Sequence, residues 1–140
     1  MDIEEVIEIL SYYPLLKKPR HVLLVKEPIY GVMRVDEKAV LVKVLGVTPM
    51  NRDDTIVLAI DAKPDTVIHE CIHLYGLGEL AAYTLTPILI TKYKLGFAPI
   101  AKMLRYRVRY RKCQYPREPC PFPLAHEKYR DRVEHYILEW

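Results

Sequence analysis

The sequence predicts an α+β fold, and three observations carry that prediction. Residues 2–13 place their apolar side chains on one helical face. Residues 21–60 hold β-branched, apolar runs split by short polar turns. From residue 64 onward the apolar spacing becomes helical again. The expected architecture is a small sheet of three to four strands. An N-terminal helix and a second helix pack against it, and further helices follow. At 140 residues the chain reads as one domain, long enough to bury a core without staples.

In the first helix Ile3, Val6, Ile7, Leu10 and Tyr13 share a face, Glu4, Glu5 and Glu8 occupy the other, and Pro14 ends it. Lys17, Lys18 and Arg20 form a basic link. Residues 21–25, 30–35 and 39–45 are strand candidates, with a hairpin turn at residues 36–38. Residues 48–54 are polar and turn-rich, hence a loop. Residues 55–60 form a short apolar run, read as a buried strand.

Pro64 then starts a helix at a position where its missing N–H costs nothing, and Asp65 suits the positive end of the helix dipole. That helix stops near Gly76 and carries His69, Glu70, Cys71, Ile72 and His73, an HExxH pattern. Histidines four residues apart project from one helical face, the spacing that grips one Zn²⁺ with two imidazoles. Glu70 is placed to act as general base toward a zinc-bound water. Cys71 points off the histidine face, into the core.

A catalytic zinc takes a third protein ligand and keeps one open position. The nearest candidate is Glu79, because Gly76 and Gly78 let the chain turn sharply before an apolar run begins at Glu79. After Glu79 there is no Asp or Glu until Glu118. The alternatives are therefore Glu118, Glu127, Asp131 and Glu134, with His126 and His135 beside them.

HExxH followed by a separate helix opening with Glu79 and Ala82 resembles the gluzincin clan of zinc metallopeptidases. The short linker and small chain look most like the minigluzincins, small zincins from archaea. The resemblance covers residues 55–84. It implies a zincin-like fold, with His69, His73 and Glu79 as zinc ligands and Glu70 as catalytic base. It also implies a peptide or protein substrate, and a C-terminal segment that covers the cleft and keeps the enzyme latent. Two departures stand out: the linker from His73 to Glu79 is shorter than in most gluzincins, and Tyr83 stands where many relatives have Asp or Asn. The spacing of His69, His73, Gly76 and Glu79 also mimics the metzincin pattern, with Met103 as a weak counterpart of its Met-turn.

The helix from Glu79 is expected to reach about Leu95, kinked or divided by Pro87, with Gly96 as its stop. Pro99 favours a further helix through residues 104–111, although Leu, Arg, Tyr, Arg, Val, Arg, Tyr and Arg alternate there with a strand period. Residues 124–140 read as a helix with Ala125, Tyr129, Val133, Tyr136, Ile137 and Trp140 on one face.

Charge is unevenly spread. The total is 21 Lys and Arg against 18 Asp and Glu. Residues 1–79 hold 9 basic and 13 acidic side chains, whereas residues 80–117 hold 9 basic and no acidic ones, Glu118 lying just beyond. Arginines interleaved with tyrosines suit phosphate contacts and base stacking, so a rival function is a non-catalytic zincin-fold protein binding nucleic acid or a protein partner. An acidic peptide substrate would feel the same field. Cys113 and Cys120 flank a proline-rich loop. They read as a disulfide, as part of a metal site with His126, or as free thiols. No apolar run is long enough for a membrane span, and the acidic N-terminus is unlike a signal peptide, so a cytoplasmic protein is expected. The charged, Tyr-rich composition suggests a thermophile. The expected function is zinc-dependent hydrolysis of peptide bonds.

Overall fold

The structure, a computed structural model, describes residues 1–92 and 108–140. The expected ends and starts at Leu95, Gly96 and Pro99, the side chain of Met103 and residues 104–107 lie outside the described residues. The described part is a mixed α+β arrangement of four helices and two sheets.

Helix α1 spans Ile3–Ser11, and its start is fixed by Asp2, whose carboxylate accepts the Glu5 N–H at 2.8 Å. Val6, Ile7, Ile9 and Leu10 are buried around it. Glu8, expected on the solvent face, is buried as well, because neighbours cover this helix on more than one side.

Strand β1 (His21–Val25) lies at the centre of a five-stranded sheet. It pairs in parallel with β5 (Thr55–Leu58) and antiparallel with β7 (Val133–Glu139). The edges are β4 (Gly46–Val47), beside β5, and β6 (Arg109–Lys112), beside β7. Strands β2 (Ile29–Val35) and β3 (Lys38–Val44) form a separate hairpin, turning through Asp36 and Glu37. Both turn residues are left-handed, with φ of 49° and 63°, as a two-residue hairpin turn matched to strand twist requires.

Three expectations need correction. The four strand-like runs do not share one sheet, since β2 and β3 pair only with each other. Residues 109–112, expected as helix, are the edge strand β6. Residues 124–140, also expected as helix, divide into a short helix α4 (Pro123–Lys128) and strand β7. Val133, Tyr136, Ile137 and Trp140 fit a helical spacing, yet Tyr136 and Leu138 also alternate with Ile137. Pairing decides between the two: the β7 backbone is hydrogen-bonded on one side to β1 and on the other to β6.

Side chains alternate across these strands, so the sheet has two different faces. Val22, Leu24, Ile56, Leu58, Tyr136 and Leu138 join one core with α1, α2 and α3. His21, Leu23, Thr55, His135 and Ile137 are buried on the opposite face.

Helix α2 (Pro64–His73) packs against β4, β5, α1 and α3. Pro64 opens it, and Thr66 Oγ1 accepts the Lys63 N–H at 3.1 Å. Val67, Ile68, Cys71 and Ile72 are buried on its core side, so Cys71 lies where the sequence places it. Helix α3 (Glu79–Lys92) runs through Pro87 without dividing. The Tyr13 hydroxyl donates to the Leu89 carbonyl at 2.5 Å and ties α3 to the end of α1.

The hairpin is fastened to the link before α2 by an ion pair, Lys43 Nζ to Asp61 Oδ2 at 2.5 Å. Lys43 holds the Asp61 carboxyl below the usual range, and Asp61 holds the Lys43 ammonium above its own. The carboxyl contribution is therefore present above the ordinary Asp pKa of about 4 and fades below it. The ammonium contribution is present below the ordinary Lys pKa of about 10.4 and fades as pH rises beyond it. Wild type is thus expected to melt slightly above Asp61→Asn between those limits, with the gap closing at both ends and shrinking in high salt. Thermal unfolding against pH checks this.

Candidate metal centre

The last turn of α2 and the first turn of α3 meet across a short reversal. Gly76 makes that reversal: its φ of +79° is left-handed, and its N–H bonds to the His73 carbonyl at 2.9 Å. The chain then presents the Leu77 carbonyl to His73 Nδ1 at 2.8 Å and brings Glu79 back over the histidines.

His69 Nε2 and His73 Nε2 lie 3.2 Å apart. Glu79 Oε1 lies 2.8 Å from His73 Nε2, and Oε2 lies 3.2 Å from His69 Nε2. Two donors, each about 2.0–2.1 Å from a shared tetrahedral ion, would stand about 3.3 Å apart, so the spacing suits zinc. The Leu77 carbonyl can only accept, so His73 Nδ1 carries a hydrogen. A cation bound between the two Nε2 atoms and the Glu79 carboxylate would take the Nε2 lone pair of that tautomer. These three side chains form one of two groups among the described residues that could hold a metal ion.

Glu70 faces the same space. It is 5% exposed, and Thr48 Oγ1 donates to its Oε2 at 2.6 Å. Burial pushes the Glu70 carboxyl up, against the opposing pull of the Thr48 hydrogen bond and the two histidines. Its other oxygen, Oε1, faces Gly46 on β4: a Cβ there would stand 2.9 Å from Glu70 Cγ and 3.2 Å from Oε1. Tyr83 packs edge-on against the His69 ring, with centroids 4.8 Å apart.

The group borders two hollows. One, of about 800 Å³, is lined by Gly46, Thr48, Glu70, His73 and Glu79. The other, of about 440 Å³, is lined by Met33, Val42, His69, Glu70, Glu79 and Tyr83. Gly46, Glu70 and Glu79 belong to both. Among the described residues none after Pro87 lines either hollow, so the C-terminal segment, expected over the cleft, is not seated there.

The structure brings Glu79 to the histidines and separates the other candidates from them. Glu118 is held by Arg111 at 2.5 and 2.9 Å, Glu134 pairs with Lys26 at 2.8 Å, and Glu127 accepts from the Tyr115 hydroxyl at 2.5 Å. Asp131 borders a different hollow, beside Arg130. His126 and His135 join Cys113 and Cys120 in the second group. Sequence reasoning missed Gly46, Thr48 and the place of His135, because none has a local pattern that points to these contacts. The basic Tyr/Arg segment is described only from Val108 onward, and there Arg111 is taken up by Glu118 and Tyr110 donates to Glu4 at 3.3 Å.

Comparison with models of known protein families, with curated proteins and with solved structures gives no match. No helix among the described residues is long and apolar enough to cross a membrane.

The close approach at Gly46 yields a prediction. Gly46→Ala is expected to push the side chains of Glu70 and Thr66 aside and to cost about 1–3 kcal/mol, as overpacking does, read from denaturant unfolding.

Proposed function

We propose that this chain is a zinc-dependent metallopeptidase. The observation that carries the reading is the convergence of His69, His73 and Glu79 beside a buried Glu70, at the meeting of two hollows. Three protein donors leave one position open for water or substrate, the arrangement of a catalytic rather than a closed site. Zinc bound there would supply an acidified water and polarise the substrate carbonyl.

The protein's own part centres on Glu70. Thr48 donates to Oε2 and orients the carboxylate, which would take the proton of the attacking water. Burial raises the basicity of Glu70, which suits a group that accepts a proton and then passes it to the leaving amine. His73 is held to one tautomer by Leu77 and His69 is braced by Tyr83, so both rings are fixed before metal or substrate arrives.

The substrate class follows from the cleft wall. Strand β4 is an edge of the sheet and borders the large hollow next to Glu70. An extended peptide could add there as a further strand, held by main-chain hydrogen bonds. Met33, Val42 and Tyr83 on the His69 side suit an apolar side chain next to the scissile bond.

Two variants test this. Glu70→Gln is expected to keep its zinc and lose cleavage of a labelled, unfolded protein such as casein by roughly 10²- to 10⁴-fold, the usual share of a general base. Glu79→Ala is expected to lose or loosen zinc, measured by metal analysis after dialysis. A zinc-loaded wild type that leaves every unfolded protein and peptide library intact would refute the peptidase reading.

A further inference from the structure

We infer that Cys113, Cys120, His126 and His135 bind one structural zinc ion, on the sheet face opposite α2. The proposal stands independently of the peptidase reading, because no side chain is shared between the two groups.

The four side chains come from four different places. Cys113 follows β6, Cys120 lies in the proline-rich loop, His126 is in α4 and His135 is in β7. Their donor atoms nevertheless lie within 4.8 Å of one another. His126 Nε2 is 3.1 Å from His135 Nδ1, and Cys120 Sγ is 3.4 Å from the same nitrogen. Ligands of a tetrahedral zinc stand about 3.3 Å apart for two nitrogens and about 3.5 Å apart for nitrogen and sulfur. Two thiolates and two imidazoles are the soft and borderline donors that select zinc, and four protein ligands close the site.

The surroundings are arranged for ligands rather than for free side chains. His135 is 3% exposed, and its Nε2 lies 2.9 Å from His21 Nδ1. With His135 Nε2 donating there, its Nδ1 lone pair is left for the cluster. His21 Nε2 in turn faces Asp54 Oδ2 at 3.9 Å, so a carboxylate, a histidine and the ligand histidine follow in line. The Phe122 N–H points at Cys120 Sγ at 3.3 Å, a contact that favours thiolate. Tyr115 stacks on the His126 ring, with centroids 4.9 Å apart.

A second, independent observation says why such a site is needed. Residues 113–132 connect β6 to β7 and cover the sheet face that holds His21 and His135, yet not one of them is buried. Helix α4 buries nothing, and Leu124 within it is 74% exposed. A connection of this length without an apolar core of its own does not order itself by hydrophobic burial. A metal fastening its first residue, its middle and helix α4 to β7 supplies what the side chains lack.

The test uses the full chain loaded with Zn²⁺ and desalted, beside a His69→Ala/His73→Ala variant, in non-denaturing mass spectrometry. The variant is expected to keep one zinc. Its Co²⁺ form should show a thiolate-to-cobalt charge-transfer band in the near ultraviolet, which the His69, His73 and Glu79 group cannot produce. Chelation should speed tryptic cleavage within residues 113–132 by roughly tenfold or more, by freeing the segment to open locally. Zinc should also slow alkylation of Cys113 and Cys120 in the wild type, a reading that needs no ligand variant to fold. A variant without zinc, a Co²⁺ form without the band, equal alkylation with and without metal, or a Cys113–Cys120 disulfide in the intact mass would each overturn the proposal. Zinc lost from the wild type's other group alone would count against the peptidase reading and leave this one standing.

Discussion

The hydrogen bond between His73 and the Leu77 carbonyl is the constraint on which the candidate centre depends. It requires the chain to leave α2 sharply, which the left-handed Gly76 permits, and it fixes which nitrogen of His73 carries the proton. The same reversal starts α3 at Glu79 and sets that carboxylate over both imidazoles. One short turn thus determines a ring orientation, a tautomer and the third donor. A longer linker would have to solve these separately.

Glu70 shows the other side of this economy. Burying a carboxylate is costly unless it is hydrogen-bonded, and the Thr48 hydroxyl together with the nearby histidines offsets only part of that cost, so the Glu70 carboxyl stays raised. Thr48 reaches Glu70 because β4 lies directly against α2, and β4 can lie so close because residue 46 has no side chain. The basicity of Glu70 is therefore a product of sheet-to-helix packing rather than of the HExxH pattern.

The sheet separates two kinds of chemistry. On one face, apolar side chains of β1, β5 and β7 form the core that holds α2 and the group of His69, His73 and Glu79. On the other, the same strands bury His21, Thr55 and His135 beneath a connection with no buried side chain of its own. Strand β1 serves both faces, through Val22 and Leu24 on one and His21 and Leu23 on the other. The first donor group borders a cleft, and the second gathers four protein donors. With zinc bound, the first would keep a position open for a substrate and the second would be a closed, structural site.

Local patterns were legible in advance. The spacing of His69, Glu70 and His73, the Pro64 start, the glycine break at Gly76 and the turn at residues 36–38 all depend on neighbours within a few residues. The helices α1 and α2 and the strands β1, β2, β3 and β5 follow the expected hydrophobic periods for the same reason. What could not be read is whatever depends on distant pairing. Residues 133–139 satisfy both a helical and a strand spacing, and only hydrogen bonds to β1, more than a hundred residues away in sequence, and to β6, 24 to 30 residues away, make them a strand. The contact of Thr48 with Glu70 and the meeting of His135 with Cys113, Cys120 and His126 are likewise long-range. Periodicity records which way a side chain faces along its own element, whereas the partner it faces is set by how elements pair and pack.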